Sequence, residues 1–182
     1  MACLTVPRAV ALVASLLACR EIFAADEAKD AAYSFYRSYS DLRKTGGLSG
    51  IPNVPQLARL APLITPELRD FFGAALREQA RCAKQFPGDK PPWIEGDIFS
   101  SNFEGSTSFS AASSRSRKDA REVVIRFTYA EGKYSVKWSD TLILRNAAGR
   151  WLVDDIFYRG HFAFASGFGK NLKSSLKSIP AC

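Results

Sequence analysis

Residues 121–158 read REVVIRFTYAEGKYSVKWSDTLILRNAAGRWLVDDIFY, and three runs of alternating apolar and polar residues divide this stretch. Short polar turns at 131–133 and 146–149 separate the runs. A period of two is typical of strands with one buried face, and strands joined by such short turns pair antiparallel. The stretch therefore predicts a three-stranded meander. Its regularly spaced apolar positions are Val123, Ile125, Phe127, Tyr129, Tyr134, Val136, Trp138, Leu142 and Leu144.

Two acids interrupt the apolar pattern of the meander. Asp140 stands where the face shared by Trp138 and Leu142 requires an apolar residue. In the last strand, alternation places Asp155 on the same face as Val153. Either that face is misassigned or Asp155 is a buried acid, and a buried acid with a raised pKa is a candidate site residue.

Helical patterns lie on both sides of the meander. Residues 25–44 repeat apolar side chains every three or four positions, which predicts an amphipathic helix. A short helical turn is predicted at 56–60, and a second long helix from Thr65 to about Lys84, because a hydroxyl, a proline and an acid open it. A tail helix is predicted over 168–179, with Leu172 and Leu176 inward and Lys170, Lys173 and Lys177 outward.

Residues 107–119 lie between the helices and the meander. Residues 107–113 predict a weak first strand, and SRSRKD at 114–119 predicts a charged turn. Two helices packed on one face of a curved antiparallel sheet form an α+β domain. The sequence thus predicts a single α+β domain over residues 25–182.

Residues 1–24 have the features of a secretory signal peptide. Arg8 is the only charged residue before Arg20, and residues 9–18 form an apolar run that contains one serine, Ser15. A ten-residue run is about half of what a membrane-spanning helix needs. Since small residues follow the run, cleavage is predicted near Ala24.

Two alternatives to this cleavage stay open. LLAC at 16–19 is similar to a bacterial lipobox, in which Cys19 would be lipidated and anchor the chain. The N-terminal segment would otherwise be a buried helix of the folded protein. The predicted location is periplasmic or secreted, with a lipoprotein as the alternative.

Removal of the leader leaves Cys82 and Cys182 as the cysteines of the mature chain. Two cysteines in an oxidising compartment most economically form one disulfide. Closing a loop of about a hundred residues contributes roughly 4 to 5 kcal/mol in the chain-entropy model. The alternative is two free thiols.

The charge of the chain points to anionic partners. It has 25 basic and 18 acidic side chains, a formal charge of +7, and one histidine among 182 residues. In the periplasm such partners are lipid head groups, lipopolysaccharide or acidic proteins, and nucleic acid is not expected. One histidine and two mature cysteines do not form a closed zinc site, so neither a metal nor a cofactor is expected. Basic residues cluster at Arg115, Arg117, Lys118 and Arg121 and along the tail helix. These clusters are either partner surfaces or simply solvated faces.

Three segments carry a resemblance to a known superfamily. They are AYSFY at 32–36, EGDIF at 95–99 and WLVDDI at 151–156, each in its predicted helix, loop or strand. Together with the meander they resemble the superfamily typified by nuclear transport factor two, ketosteroid isomerase and SnoaL. More narrowly, the chain is similar to a bacterial envelope family known only as a domain of unknown function. The resemblance implies a sheet wrapped around helices into a conical cavity, which serves catalysis in some members and binding in others.

Candidate site residues follow from this resemblance and from the residues themselves. His161 lies just beyond the last strand, where it would form a general acid/base pair with Asp154 or Asp155. Alternatively, His161 is a residue of a surface loop. Asp155 would in that case accept hydrogen bonds from neighbouring backbone N–H groups as a cap. Asp97, Tyr129, Trp138 and Tyr158 are candidate pocket-lining or structural residues, and for Asp97 turn capping is the simpler role.

Two functions are compatible with these features. The first is a secreted, non-enzymatic binding domain of the bacterial envelope, with a protein partner or a small apolar molecule in the cone as its ligand. An inhibitor or immunity protein is one version of it, and an anionic membrane surface is a further contact. The alternative is a cone-cavity enzyme of the isomerase or hydratase type that uses Asp155 and His161. Fold alone does not choose between them.

Overall fold

A computed structural model describes the backbone of residues 8–161 and 170–178, and side chains from residue 23 onward. The chain forms helices at its N-terminal side, then a four-stranded sheet, then a short helix. The elements are α1 (Arg8–Gly46), α2 (Val54–Leu60), a 3₁₀ turn (Ala61–Leu63), α3 (Pro66–Gln85), β1 (Ser108–Arg117), β2 (Ala120–Glu131), β3 (Tyr134–Ala147), β4 (Arg150–Phe157) and α4 (Leu172–Lys177). The predicted α+β class is confirmed.

The sheet is antiparallel, with strands in the order β1-β2-β3-β4, and it is not closed. Two irregularities interrupt its ladder. One lies in β1 between Ala111 and Ser113. The other lies in β4, where Ile143 pairs with Asp155 and Leu144 with Val153, so that Asp154 is an extra residue. Such a bulge changes which face the following residues occupy.

The core lies between the inner face of the sheet and the helices. Aromatic residues dominate it: Phe127 stacks on Trp138 with ring centroids 5.2 Å apart, and Tyr36 meets Phe127 edge-on at 5.0 Å. The largest fully buried side chains are Tyr36, Phe35, Phe72, Phe99, Phe127, Leu42, Leu60, Ile64, Leu68, Ile125, Leu142 and Leu144. Most of the apolar positions predicted from the period of two therefore face the helices, whereas Tyr134, at the start of β3, is exposed.

The starts of α2 and α3 follow from capping residues. Asn53 accepts a hydrogen bond from the backbone N–H of Gln56, whose side chain accepts one in return. Thr65 accepts from the N–H of Leu68 at 3.2 Å and precedes Pro66. These bonds satisfy N–H groups that a helix start leaves unpaired. The predicted helices at 56–60 and from Thr65 are confirmed.

The structure corrects several predicted boundaries. Helix α1 begins at Arg8, so the predicted leader is helical and continuous with the helix expected over 25–44. SRSRKD at 114–119 is mostly strand, because β1 extends to Arg117 and only two residues form the turn. Helix α4 begins at Leu172, and the outer ends of the predicted tail helix lie outside the described residues.

The two edges of the sheet differ. The free edge of β4 is covered at two points, since Ile64 forms a parallel bridge to Val153 and Asn171 an antiparallel bridge to Phe157. The N–H of Thr65 also donates to the carbonyl of Val153. No strand of the described residues pairs with the free edge of β1. Separately, no helix among the described residues has the length and apolarity to cross a membrane.

A close backbone contact ties the segment after α1 to the segment after α3. The N–H of Gly50 donates to Gly96 at 2.7 Å, and the N–H of Ile51 donates to Trp93 at 2.9 Å. Gly50 has a φ of +65°, and a Cβ there would lie 1.8 Å from the carbonyl oxygen of Trp93. Only glycine fits this approach.

We predict that Gly50→Ala destabilises the fold much more than Gly47→Ala. Both glycines have a positive φ, but a Cβ at Gly47 meets no atom within 4 Å. The left-handed backbone alone costs an L-residue about 1–2 kcal/mol, and the backbone clash at Gly50 adds about 1–3 kcal/mol. Free energies of unfolding in urea measure both. Equal losses for the two variants would contradict the close approach.

Candidate functional site

A buried loop occupies the space where the resemblance implies a cavity. Ile98, Phe99, Ser100 and Ser101 are all buried between the helices and the inner face of the sheet. The ring of Phe99 lies 4.9 Å from that of Tyr39 and 5.7 Å from that of Phe72. We call residues 97–102 the buried loop. Among the described residues, its side chains and the core aromatics pack together in this region.

Asp140 is the main anchor of the buried loop. It is completely buried, and its carboxylate accepts hydrogen bonds from the N–H of Ser101 at 2.8 Å and from the Ser101 hydroxyl. The indole N–H of Trp138 donates to it at 3.2 Å, and the N–H of Arg159 at 2.7 Å. The N–H of Gly160 lies at 3.4 Å. One carboxylate thus joins β3, the buried loop and the chain after β4.

Asp97 shapes the start of the buried loop. Its carboxylate accepts from the N–H of Phe99 and from the hydroxyl of Ser100, both at 2.8 Å. Burial raises the pKa of Asp97. Turn capping, the simpler of its two predicted roles, describes these contacts.

Two buried tyrosines hold the backbone of the same loop. The hydroxyl of Tyr36 donates to the carbonyl of Phe99 at 2.8 Å, and that of Tyr158 donates to Ile98 at 2.6 Å. Burial raises the pKa of both hydroxyls well above the ordinary value. They act as neutral donors inside the core. Of the predicted pocket residues, Tyr158 and Trp138 therefore contact this network directly.

Asp154 and Asp155 lie side by side at the bulge of β4 but have different surroundings. The bulge places Val153 and Ile156 in the core, so Asp155 pairs with Ile143 on the outer face of the sheet. This resolves the conflict in the predicted alternation. Asp155 is nevertheless buried, and it accepts hydrogen bonds from the N–H of Ile156 at 2.8 Å and of Lys173 at 3.1 Å. Burial raises its pKa.

Asp154 is held by opposite charges. Burial alone would raise its pKa, but bonds from Lys173, Thr65 and Arg145 outweigh burial and lower it. The ammonium of Lys173 and the hydroxyl of Thr65 each lie 2.8 Å from Oδ1, and Nε of Arg145 lies 3.1 Å from Oδ2. Lys173 also bonds Glu67 at 2.8 Å. Lys173 was predicted to point to solvent, and this prediction is wrong because it bridges β4 and α3.

His161 and Asp155 have different environments. His161 is exposed, beyond the end of β4, whereas Asp155 is buried and bonded to backbone. An acid/base pair needs both side chains within reach of one reacting group. The observed exposure matches the interpretation of His161 as a surface loop residue.

Tyr129 lines an open cleft of about 470 Å³ at the end of α1. Arg43, Lys44 and Glu104 border the same cleft. The hydroxyl of Tyr129 donates to Glu131, its neighbour along the strand. Tyr129 is thus partly buried against the core, with its hydroxyl at the cleft and bonded to Glu131 and not to Asp140.

The residues of the predicted basic cluster at 115–121 do not share one face of the sheet. Arg115 and Arg117 both bind Glu122, but Arg121 is buried on the inner face beside Leu144 in register. Cys182, the predicted disulfide partner of Cys82, lies outside the described residues. Cys82 is buried near the end of α3. Among the described residues, no group of three or more His, Cys, Asp or Glu side chains is placed to hold a metal ion.

Comparison with protein-family models, with curated proteins and with solved structures gave no match. The function must therefore be argued from the geometry of this chain. That geometry places three acids, Asp97, Asp140 and Asp154, in structural bonds to backbone, hydroxyl or basic groups.

We predict that Asp140→Asn lowers the free energy of unfolding by about 3–5 kcal/mol, because buried donors lose a charged acceptor and face an amide N–H₂. Asp89→Asn is the matched control, since Asp89 is exposed. It should change stability by less than about 0.5 kcal/mol. Urea unfolding measures both variants. A small loss for Asp140→Asn would show that the Asp140 network is not a main anchor.

We predict opposite pH effects for Asp154→Asn and Asp155→Asn. The lowered pKa of Asp154 contributes stability above about pH 4, so its loss should cost about 2–3 kcal/mol at neutral pH and nothing in strong acid. The raised pKa of Asp155 means that its ionisation opposes folding as pH rises above about 4. Asp155→Asn keeps an oxygen acceptor and removes that cost.

Unfolding of both variants and of the wild type between about pH 3 and pH 7 tests this contrast. The stability of Asp155→Asn relative to the wild type should rise with pH, and that of Asp154→Asn should fall. If the stability of the two variants relative to the wild type changes with pH in the same direction, the surroundings described for Asp154 and Asp155 are wrong.

Proposed function

We propose that residues 25–182 are a secreted, non-enzymatic binding domain of the bacterial envelope. The segment 1–24 is the leader that exports it, and the domain has the cone-like fold of the nuclear transport factor two superfamily. Support comes from the basic residue and short apolar run of the leader, and from helices packed on an antiparallel sheet.

The filled interior is the observation that carries this proposal. A cone-cavity enzyme needs an enclosed space with reactive groups aimed into it. Here the buried loop and the core aromatics occupy the space between helices and sheet, with Phe99 and Ser101 fully buried. The acids inside are bound to backbone N–H and hydroxyl groups. Binding therefore takes place on the outside.

A protein partner fits this arrangement better than a small apolar ligand. The clefts around β1–β3 and α1 are open and have charged side chains at their rims, such as Arg43, Lys44 and Arg126. Open, polar surfaces of this kind match protein interfaces more closely than they match enclosed apolar pockets. An inhibitor or immunity protein that blocks a cell-wall-cutting enzyme is one version of this function.

The enzyme alternative rests on Asp155 and His161. Asp155 is bonded to two backbone N–H groups, and His161 is exposed. Among the described residues, no hydrogen bond or ion pair joins Asp155 to His161, so nothing supports acid/base chemistry shared by these two side chains. The binding function is therefore the one that we retain.

The disulfide belongs to the same proposal. Cys82 lies in the last turns of α3, and α4 packs against α3 through the Lys173–Glu67 bond. Cys182 follows α4 in the sequence. A bond between the two cysteines would fasten the C-terminal end of the chain to α3 in an oxidising compartment.

We predict that the protein exported from bacterial cells starts at Ala25 or Asp26 and is lighter, before reduction, by the mass of two hydrogens. Intact mass spectrometry with and without reductant measures both, and Cys82 should not react with a maleimide before reduction. A chain that keeps residues 1–24 in the cytoplasm would contradict the proposal. A lipid-modified start at Cys19 would place the same domain on a membrane.

A further inference from the structure

The outer face of the sheet carries several basic side chains. Cross-strand pairs share a face, so Ser110, Arg126 and Ser139 lie side by side, as do Ser108, Thr128 and Lys137. The basic members of this face are Arg115, Arg117, Arg126, Lys137, Arg145, Arg150 and Arg159. The strand acids on the face are Glu122 and Asp155.

Ion pairs neutralise only part of this charge. Glu122 binds both Arg115 and Arg117, and Arg145 binds Asp119 and Asp154. Arg126 and Lys137 are exposed and have no acidic partner among the described residues. They border an open cleft of about 520 Å³ together with Ser108, Ser110, Thr128 and Ser139. Cations and hydroxyl groups thus line this cleft.

We propose that the outer face of β1–β4 is the docking surface for an acidic surface of a protein partner. This inference rests on the proposed function and names the partner's chemistry and the place where it binds. Cationic side chains outnumber acids here, so charge complementarity selects an acidic ligand. Seryl and threonyl hydroxyls between them add hydrogen bonds to carboxylates.

The choice of a protein over a membrane follows from the kind of cation. All but one of the strand cations on this face are arginines, and arginine is enriched in protein interfaces whereas lysine is depleted. The planar guanidinium binds a carboxylate through two parallel bonds. Phe157, within 6 Å of the guanidinium groups of Arg117 and Arg159, adds an aromatic contact.

The most exposed part of this face lies on β1, β2 and the first half of β3, where Arg126 and Lys137 are exposed. Towards β4 the face is less open, because Ile143, Leu152 and Asp155 are buried. A second copy of this chain is a poor occupant, because its own outer face would set cations against cations.

Arg126→Glu with Lys137→Glu tests the face without breaking an ion pair of the described structure. The control is Arg37→Glu with Arg77→Glu, which makes the same charge change at exposed residues of α1 and α3. The first probe is a short oligoglutamate peptide at low salt, with binding followed by fluorescence anisotropy. The outer-face variant should bind at least about tenfold more weakly, and the control within about twofold of the wild type.

Phosphatidylglycerol vesicles are the competing probe. In one outcome, the wild type binds these vesicles but not the peptide, and Arg126→Glu with Lys137→Glu abolishes vesicle binding. The ligand would then be a membrane and not a protein, and the inference would be overturned. Equal losses of peptide binding in the two double variants would show that net charge alone acts, and would overturn it as well.

A photo-crosslinking residue at Ser110 in the exported protein separates this inference from the proposed function, with Ala80 on α3 as the control position. Crosslinks from Ser110 to an acidic envelope protein support both the docking face and the binding function, provided that the two purified proteins re-form a salt-sensitive complex. If such a partner is crosslinked only from Ala80, the docking face is overturned and the binding function stands. A chain that is not exported would overturn the proposed function itself.

Discussion

The hydrogen bonds to the carboxylate of Asp140 hold together parts of the chain that are distant in sequence. The carboxylate belongs to β3, and its donors come from Ser101 in the buried loop and from Arg159 and Gly160 after β4. Since a buried charge is costly without several donors, each of these segments is needed for the others to remain in place. The loop then supplies Phe99 to the core and receives the hydroxyl bonds of Tyr36 and Tyr158. Sheet, loop and first helix are therefore coupled through one side chain.

Much of the fold could be predicted from periodicity and capping. The alternation in residues 121–158 identified the inward positions of β2 and β3, and the Thr65-Pro66-Glu67 start located α3. The face of Asp155 could not be predicted, because a bulge depends on pairing between strands and not on the spacing within one. Lys173 was misplaced for a similar reason: the spacing of a helix does not reveal that β4 and α3 offer it Asp154 and Glu67.

The site was harder to predict than the fold. Asp140 was visible as an acid in an apolar row, and that was its only signal, since its donors Ser101 and Arg159 lie far away in sequence. Conversely, His161 was a candidate acid/base residue because it is the sole histidine of the sequence, although it is exposed. The basic outer face was only partly visible. The cluster at Arg115 and Arg117 stood out, but joining it to Arg126 and Lys137 requires the register of the strands.

The unequal edges of the sheet set a limit on how this chain can assemble. Ile64 and Asn171 cover the edge of β4 at two points, whereas β1 has no neighbouring strand in the described part of the chain. Fibres require two adhesive edges on every subunit, so that each addition creates a new end. If β1 joined β1 of another chain, the combined sheet would end on both sides at a covered β4. Growth by strand addition would then stop at two molecules.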